Sequence, residues 1–208
     1  MKQNPSTTIF RSFRMGSLWE NPMLRGLLGL SPAVLICTSL KQGLILGAFT
    51  LCVFLPTALL TYFFFRKLPF WARIPVYVLC SALILSPLSL AAELWFPSAM
   101  AGIGLFSPLI IVNSAQFLML ETLAAGSTAR RRALPEAAGM MTGYLLVLLL
   151  LSALRELGGS GSLWDIPVTA KAYVPAAGSP FAALILLGLL AALLQWTRNR
   201  FHREEAAE

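Results

Sequence analysis

Six uncharged, strongly apolar stretches recur along the chain, over residues 26–40, 43–65, 74–92, 101–120, 137–154 and 179–197. Crossing the hydrocarbon core of a bilayer takes about 20 such residues, so five of the six qualify as spanning helices with little adjustment. The first reaches that length only by recruiting residues 21–25. None alternates polar and apolar positions as a lumen-lined barrel strand would, which leaves the helix as the spanning structure. The pattern therefore predicts an all-α integral membrane protein with six transmembrane helices.

Composition agrees. The 208 residues are 57% hydrophobic and 12% charged, with a mean hydropathy of +0.74. Soluble domains carry about 25% charge, so a soluble enzyme and a disordered tail are both excluded. Cys37, Cys52 and Cys80 are odd in number, lie inside apolar runs and form no CxxC, which excludes a disulfide scaffold.

The formal charge of +7 reads as a topology signal. With the N-terminus in the cytoplasm, Lys2, Arg11, Arg14, Arg66, Lys67, Arg73, Arg130, Arg131, Arg132, Arg198, Arg200 and Arg203 all fall inside. Only Lys41, Arg155 and Lys171 fall outside, and Arg25 opens the first run. That asymmetry predicts a multi-pass membrane protein with both termini cytoplasmic. The basic residues also suit contact with anionic lipid, whereas nothing points to nucleic acid. The polar, basic opening predicts a cytoplasmic arm with a short interfacial helix around residues 9–19 rather than a cleavable signal peptide.

The chain also resembles itself. Ser31-Pro32 followed by Ala33–Thr38 lines up with Ser107-Pro108 followed by Leu109–Ser114, 76 residues later. Glycines precede both, at 26 and 29 and at 102 and 104. Three helices per half make the second copy run the opposite way. The expected organisation is an arm (1–20), a first three-helix half (21–99), an inverted second half (100–199) and a cytoplasmic tail (200–208). The first helix of each half is broken. Gly/Pro-interrupted segments at matching places in two halves point to a functional site near the bilayer midplane, though a pair of ordinary proline kinks would look the same.

Polar groups inside the runs have two readings each. Asn113 and Ser114 either line a cavity or bond to a neighbouring helix. With Pro32, Cys37, Thr38, Ser107, Pro108 and Glu121 they make up a candidate cavity-lining set. Glu121, at the end of its helix, reads by default as a solvated carboxylate, as does Glu93. Arg155-Glu156, at the outer end of the fifth run, reads as an anchor or a local pair. The polar loop starting at Gly158 is too polar to span and suits a surface for another subunit, with Trp164 and Tyr173 at headgroup level.

Several strings resemble the RnfE/NqrD family. Asn21-Pro22 followed by Leu27-Leu28-Gly29-Leu30-Ser31-Pro32 is similar to the family's opening, which has Leu-Gly-Leu-Cys-Pro there. Arg73–Val78, Gly104–Asn113, Leu154–Gly158 with Gly161–Asp165, and Ser179-Pro180-Phe181 match in order, over roughly residues 18 to 200. The resemblance implies a six-helix subunit with inverted three-helix halves in an Rnf or Na+-translocating NADH:quinone reductase complex. It implies a homologous partner of opposite topology (RnfA/NqrE-like), other complex subunits, and a 2Fe-2S cluster held by cysteines of both partners. Thiolates suit that role as soft, anionic ligands of iron.

The family's two cysteines fall on Ser31 and Ser114, and a neutral hydroxyl is a poor ligand of iron. Leu118-Met119 stand where the family has Gly-Arg, while Glu121 remains. Cys37 is the one thiol in either motif segment, six residues past Ser31 and pseudo-equivalent to Asn113; it is the candidate for a relocated ligand. With no catalytic dyad, nucleotide loop or flavin-attachment motif, the expectation is a non-catalytic subunit of an electron-transport and ion-translocating complex. Its mid-membrane relay would be lost or re-ligated. The alternative is an inverted-repeat transporter or channel for a cation or small solute, with Ser31, Thr38, Asn113 and Ser114 lining its site.

Overall fold

The computed structural model describes residues 21–26, 28–95, 97–100, 103–125, 130–164, 166–168 and 175–205. The expected arm and its interfacial helix lie outside those residues, as does Tyr173. In order come α1 (Pro22–Arg25), α2 (Leu30–Ile36), α3 (Leu40–Phe63), a 3-10 turn at Phe65–Lys67, α4 (Phe70–Trp95) and α5 (Pro97–Met100). A 3-10 segment (Gly104–Ile110), α6 (Ser114–Ala125) and α7 (Arg130–Gly159) follow. A small hairpin, a 3-10 turn at Pro175–Gly178 and α8 (Pro180–Glu205) complete the described chain.

Among the described residues five helical stretches are long and apolar enough to cross a membrane: Leu40–Phe63, Phe70–Trp95, Phe106–Ala124, Ala133–Gly159 and Pro180–Thr197. The first apolar run is not among them. It is divided into α1 and α2 because Gly29 takes φ 76°, a left-handed conformation that ends one helix and starts the next. Pro32 falls in the first turn of α2, where a missing backbone N–H costs nothing. There it begins a short helix instead of kinking a long one.

Two stretches of the described chain share a spacing of helix bounds. Each bound of Gly104–Ile110 and of the start of α6 lies 74 residues after the corresponding bound of α2 and α3. Both copies run as a seven-residue helical segment, a three-residue break and a longer helix. Ser39 and Asn113 occupy equivalent capping places: Ser39 Oγ accepts from Gln42 N at 3.3 Å, and Asn113 Oδ1 accepts from Ala115 N at 3.1 Å. This spacing of bounds is two residues shorter than the 76 that separate the Ser-Pro pairs.

Helices α3 and α7 form the centre: half or more of each span is buried, against 17% for α4 and 11% for α8. A Cβ on Gly43 would collide with Ser152 Oγ, and one on Gly47 would lie 2.9 Å from Leu145 Cδ2. Those paired heights mean that α3 and α7 run antiparallel with their backbones close, as small residues allow in membranes. Leu46, Val53, Tyr144, Leu148 and Leu151 fill the seam with Met119, Leu120 and Leu123 of α6. The exposed apolar faces of α4 and α8 (Leu79, Leu83, Leu90; Leu189, Leu193) form the periphery that a bilayer or another subunit covers. The polar loop folds as an antiparallel hairpin, β1 (Ser162–Leu163) on β2 (Ile166–Pro167), with Ser162 opposite Pro167.

Candidate functional site: the crossing of two broken helices

The left-handed turn at Gly29 lies against the start of α6. Gly29 N donates to Ser114 Oγ at 2.9 Å. A side chain at Gly29 has no room: a Cβ would lie 2.8 Å from Tyr144 Cε2 and 3.0 Å from both Ala115 Cβ and Asn113 Oδ1. Asn113, fully buried, donates through Nδ2 to Tyr144 Oη at 3.2 Å while its Oδ1 caps α6. This is a bond to a neighbouring helix, one of the two readings of Asn113. Tyr144, from the central α7, thus pins both breaks at once.

The two positions matched to the resembling family's cysteines, Ser31 and Ser114, are both exposed and flank this crossing. Pro108 and Val112 are exposed beside the second break; Pro32 and Ser107 are buried. Thr38 bonds to the Gln42 carboxamide through its backbone N–H at 3.2 Å and through its hydroxyl. Cys37 is buried, Cys52 exposed and Cys80 half-buried. Among the described residues no three His, Cys, Asp or Glu side chains gather as a metal site would.

A 2Fe-2S cluster does not fit the donors at this crossing. Ser31 and Ser114 offer neutral hydroxyls in place of thiolates, and the Ser114 oxygen is already engaged by Gly29 N. Cys37 is enclosed while the two serines face outward, so a relocated thiol does not share their surface.

Arg155 and Glu156 are the residues that sequence reasoning placed wrongly. Arg155 is 1% exposed and anchors nothing at an interface. Its Nη1 donates to the carbonyls of Val34 (2.9 Å), Cys37 (2.7 Å) and Ala33 (3.5 Å), at the C-terminal end of α2, where carbonyls lack intrahelical donors. Its Nε and Nη2 donate to Ala177, Gly178 and Ser179 at 3.3, 2.8 and 3.2 Å, ahead of α8. Glu156, also buried, accepts from Leu40 N, the first amide of α3, at 2.7 Å. Two consecutive residues of α7 therefore cap the two helix ends that the break at 37–39 creates, cation to carbonyls and anion to amide, as helix dipoles favour. The available signal was their place at the end of an apolar run, where an ionisable pair calls for a partner inside the protein.

Glu121 is partly exposed and is also paired. Its Oε1 pairs with Arg73 Nη1 at 2.6 Å and its Oε2 accepts from Tyr77 Oη at 3.3 Å, tying α6 to α4. One turn and a half earlier on α6, the buried Gln116 donates to Ser81 Oγ of α4 at 3.1 Å, and its Oε1 is without a partner.

Residues 9–191 match the family described as Rnf-Nqr subunit, membrane protein. The chain is 29% identical to the E subunit of the Na+-translocating ferredoxin:NAD+ oxidoreductase complex of Acetobacterium woodii, over 91% of this chain and 97% of that one. It is 32% identical to the E subunit of the ion-translocating oxidoreductase complex of Haemophilus ducreyi, over 76% of this chain and 70% of the relative. The corresponding protein of Pseudoalteromonas atlantica is 29% identical, covering 96% and 92%.

Proposed function

Since the chain belongs to the Rnf-Nqr family of membrane subunits, we propose that it serves as the E-type component of an ion-translocating oxidoreductase complex. The family resemblance read from its motifs and the relatives' names agree on that placement. The role is that of a scaffold: this chain holds the crossing of two broken helices in the membrane and contributes no thiolate at the two matched ligand positions. The electron relay expected there is lost or ligated from elsewhere.

The observation that carries this reading is the crossing of the two breaks. Gly29, Asn113, Ser114 and Tyr144 keep the two breaks locked together. The donor atoms at Ser31 and Ser114 depart from the family's pattern, as do Leu118 and Met119 on α6. Irregular backbone is tolerated at membrane depth only when covered by protein or lining a cavity. The exposed Ser31, Val112 and Ser114 therefore call for a covering protein, which we assign to a homologous six-helix partner of opposite topology (RnfA/NqrE-like). On the same reading residues 21–99 and 100–199 are inverted halves, and both termini face the cytoplasm of the inner membrane. A stand-alone transporter or channel has no observation of its own in its favour.

The test is iron and acid-labile sulfide in the complex copurified anaerobically with the products of adjacent genes, with EPR after reduction. The expected result is a stoichiometric complex lacking a cluster bound by this chain, and unchanged by Cys37→Ala. The double variant Ser31→Cys/Ser114→Cys then gains iron, because it restores soft anionic donors at an intact crossing. A wild-type EPR signal that disappears with Cys37→Ala would reassign the ligand, and absence of any copurifying subunit would remove the scaffold role.

A further inference from the structure

Helices α4 and α6 meet along a polar stripe inside an otherwise apolar bundle. Arg73, Tyr77 and Ser81 lie four residues apart on α4 and so share one face. Arg73 and Tyr77 meet Glu121 of α6, and Ser81 meets Gln116, an order that makes the two helices antiparallel. Exposure falls along the stripe. The Arg73 and Glu121 side chains are 14% and 26% exposed, whereas Tyr77, Ser81 and Gln116 are buried.

The inner rung is incompletely bonded. Gln116 Nε2 donates to Ser81 Oγ at 3.1 Å, while Gln116 Oε1, an acceptor with two lone pairs, meets no donor. Ser81 acts in that bond as the acceptor, which leaves its own hydroxyl proton unspent. The buried hydroxyls of Thr50, Thr57, Thr61 and Ser152 differ, since each donates to the carbonyl four residues back. Exchanging the oxygen and nitrogen of the Gln116 carboxamide would satisfy the serine proton and strand the amine instead. One partner is missing in either orientation. No bulk solvent reaches a membrane interior, so a polar atom left unpaired there is costly.

The deficit defines the ligand. An open acceptor and an open donor on two bonded side chains call for a small neutral molecule that both donates and accepts. A cation would suit the Gln116 oxygen but not the serine proton. It would also bring an uncompensated charge, because Glu121, the carboxylate of this stripe, is already paired with Arg73. An anion would be repelled by the carboxamide oxygen. Water meets both demands, and buried waters make about two to four hydrogen bonds of this kind.

We propose that Gln116 and Ser81 bind a structural water between α4 and α6, which donates to Gln116 Oε1 and accepts from the Ser81 hydroxyl. The water completes the innermost of the rungs that fasten the peripheral α4 to α6, three residues past the Asn113 cap. The inference rests on this seam and not on a place in an oxidoreductase, so failure of one reading leaves the other standing.

The experiment uses the full chain with its copurifying subunits, reconstituted in phosphatidylcholine nanodiscs and equilibrated in D2O prepared with ordinary or with heavy oxygen. Infrared difference spectra between wild type and Gln116→Leu isolate the groups at this rung, and thermal melting monitors the fold. The expected difference is an O–D stretch, lost in the variant, that moves to lower frequency with heavy oxygen. A water exchanges its oxygen with the solvent, whereas a serine does not. Ser81→Ala is expected to lose the same band. Gln116→Met, which also lacks the acceptor, replaces Gln116→Leu if that variant does not fold. A difference spectrum without a band sensitive to heavy oxygen, or a band that Ser81→Ala leaves unchanged, overturns the proposal. A rise in melting temperature with Na+ that Gln116→Leu abolishes overturns it as well, because it would put a cation at the carboxamide.

Discussion

The backbone amide of Gly29 donates to the hydroxyl of Ser114 at 2.9 Å, joining two helix breaks that lie 85 residues apart in sequence. Both partners are committed by their surroundings. Gly29 is left-handed and hemmed in by Tyr144, Ala115 and Asn113, and Ser114 opens α6 directly after the residue that caps it. The pair converts two weak points of the membrane-embedded backbone into one cross-linked unit.

Gly29→Ala is therefore expected to lower stability in detergent by about 1–3 kcal/mol, from left-handed strain and overpacking together. Thermal melting of the purified protein reads it. Tyr144→Phe, which keeps the ring and removes only the hydroxyl that Asn113 meets, is expected to cost about 1–3 kcal/mol through the unpaired Asn113 Nδ2. Equal melting of wild type and Gly29→Ala would mean that the crossing is loose.

Arg155 concentrates six carbonyl acceptors on one buried guanidinium. Replacing it with leucine orphans the end of α2 and the entry to α8 together, at an expected cost of at least about 3 kcal/mol. Arg155→Lys falls between the two, since three donors on a point charge cannot reproduce the planar fork. Protease protection of the 37–39 break, followed by mass spectrometry, checks the location of the damage. Protection unchanged in Arg155→Leu would refute the capping role.

Gln116 and Ser81 allow a double-mutant cycle. Ser81→Ala strands the Gln116 carboxamide completely and is expected to cost about 1–3 kcal/mol. Adding Gln116→Leu removes the stranded group together with its unpartnered oxygen and is expected to recover most of that loss. Additive effects of the two substitutions would argue that the pair is not coupled.

Much of this was legible one residue at a time. The uncharged runs located the long helices, because span length and hydropathy are local properties of the chain. The Ser31 and Ser114 substitutions were equally plain, since exchanging a thiol for a hydroxyl needs no neighbours to interpret. The helix bounds near the Ser-Pro pairs were not legible in the same way: the pairs are conspicuous in sequence, while the left-handed Gly29 and the caps Ser39 and Asn113 set where the helices begin.

The sequence by itself determined that this is a helical membrane protein, where its long helices run, and that its matched ligand positions lack thiolates. These follow from transfer free energy and donor chemistry, which each residue carries with it. Only the tertiary structure decided where the first run breaks, that Arg155 and Glu156 cap the break from α7, and that Glu121 is held by Arg73. Those outcomes depend on which unsatisfied backbone groups and charges meet across long stretches of chain. In a low-dielectric interior the cost of leaving them unpaired chooses the arrangement, and no local pattern of residues encodes it.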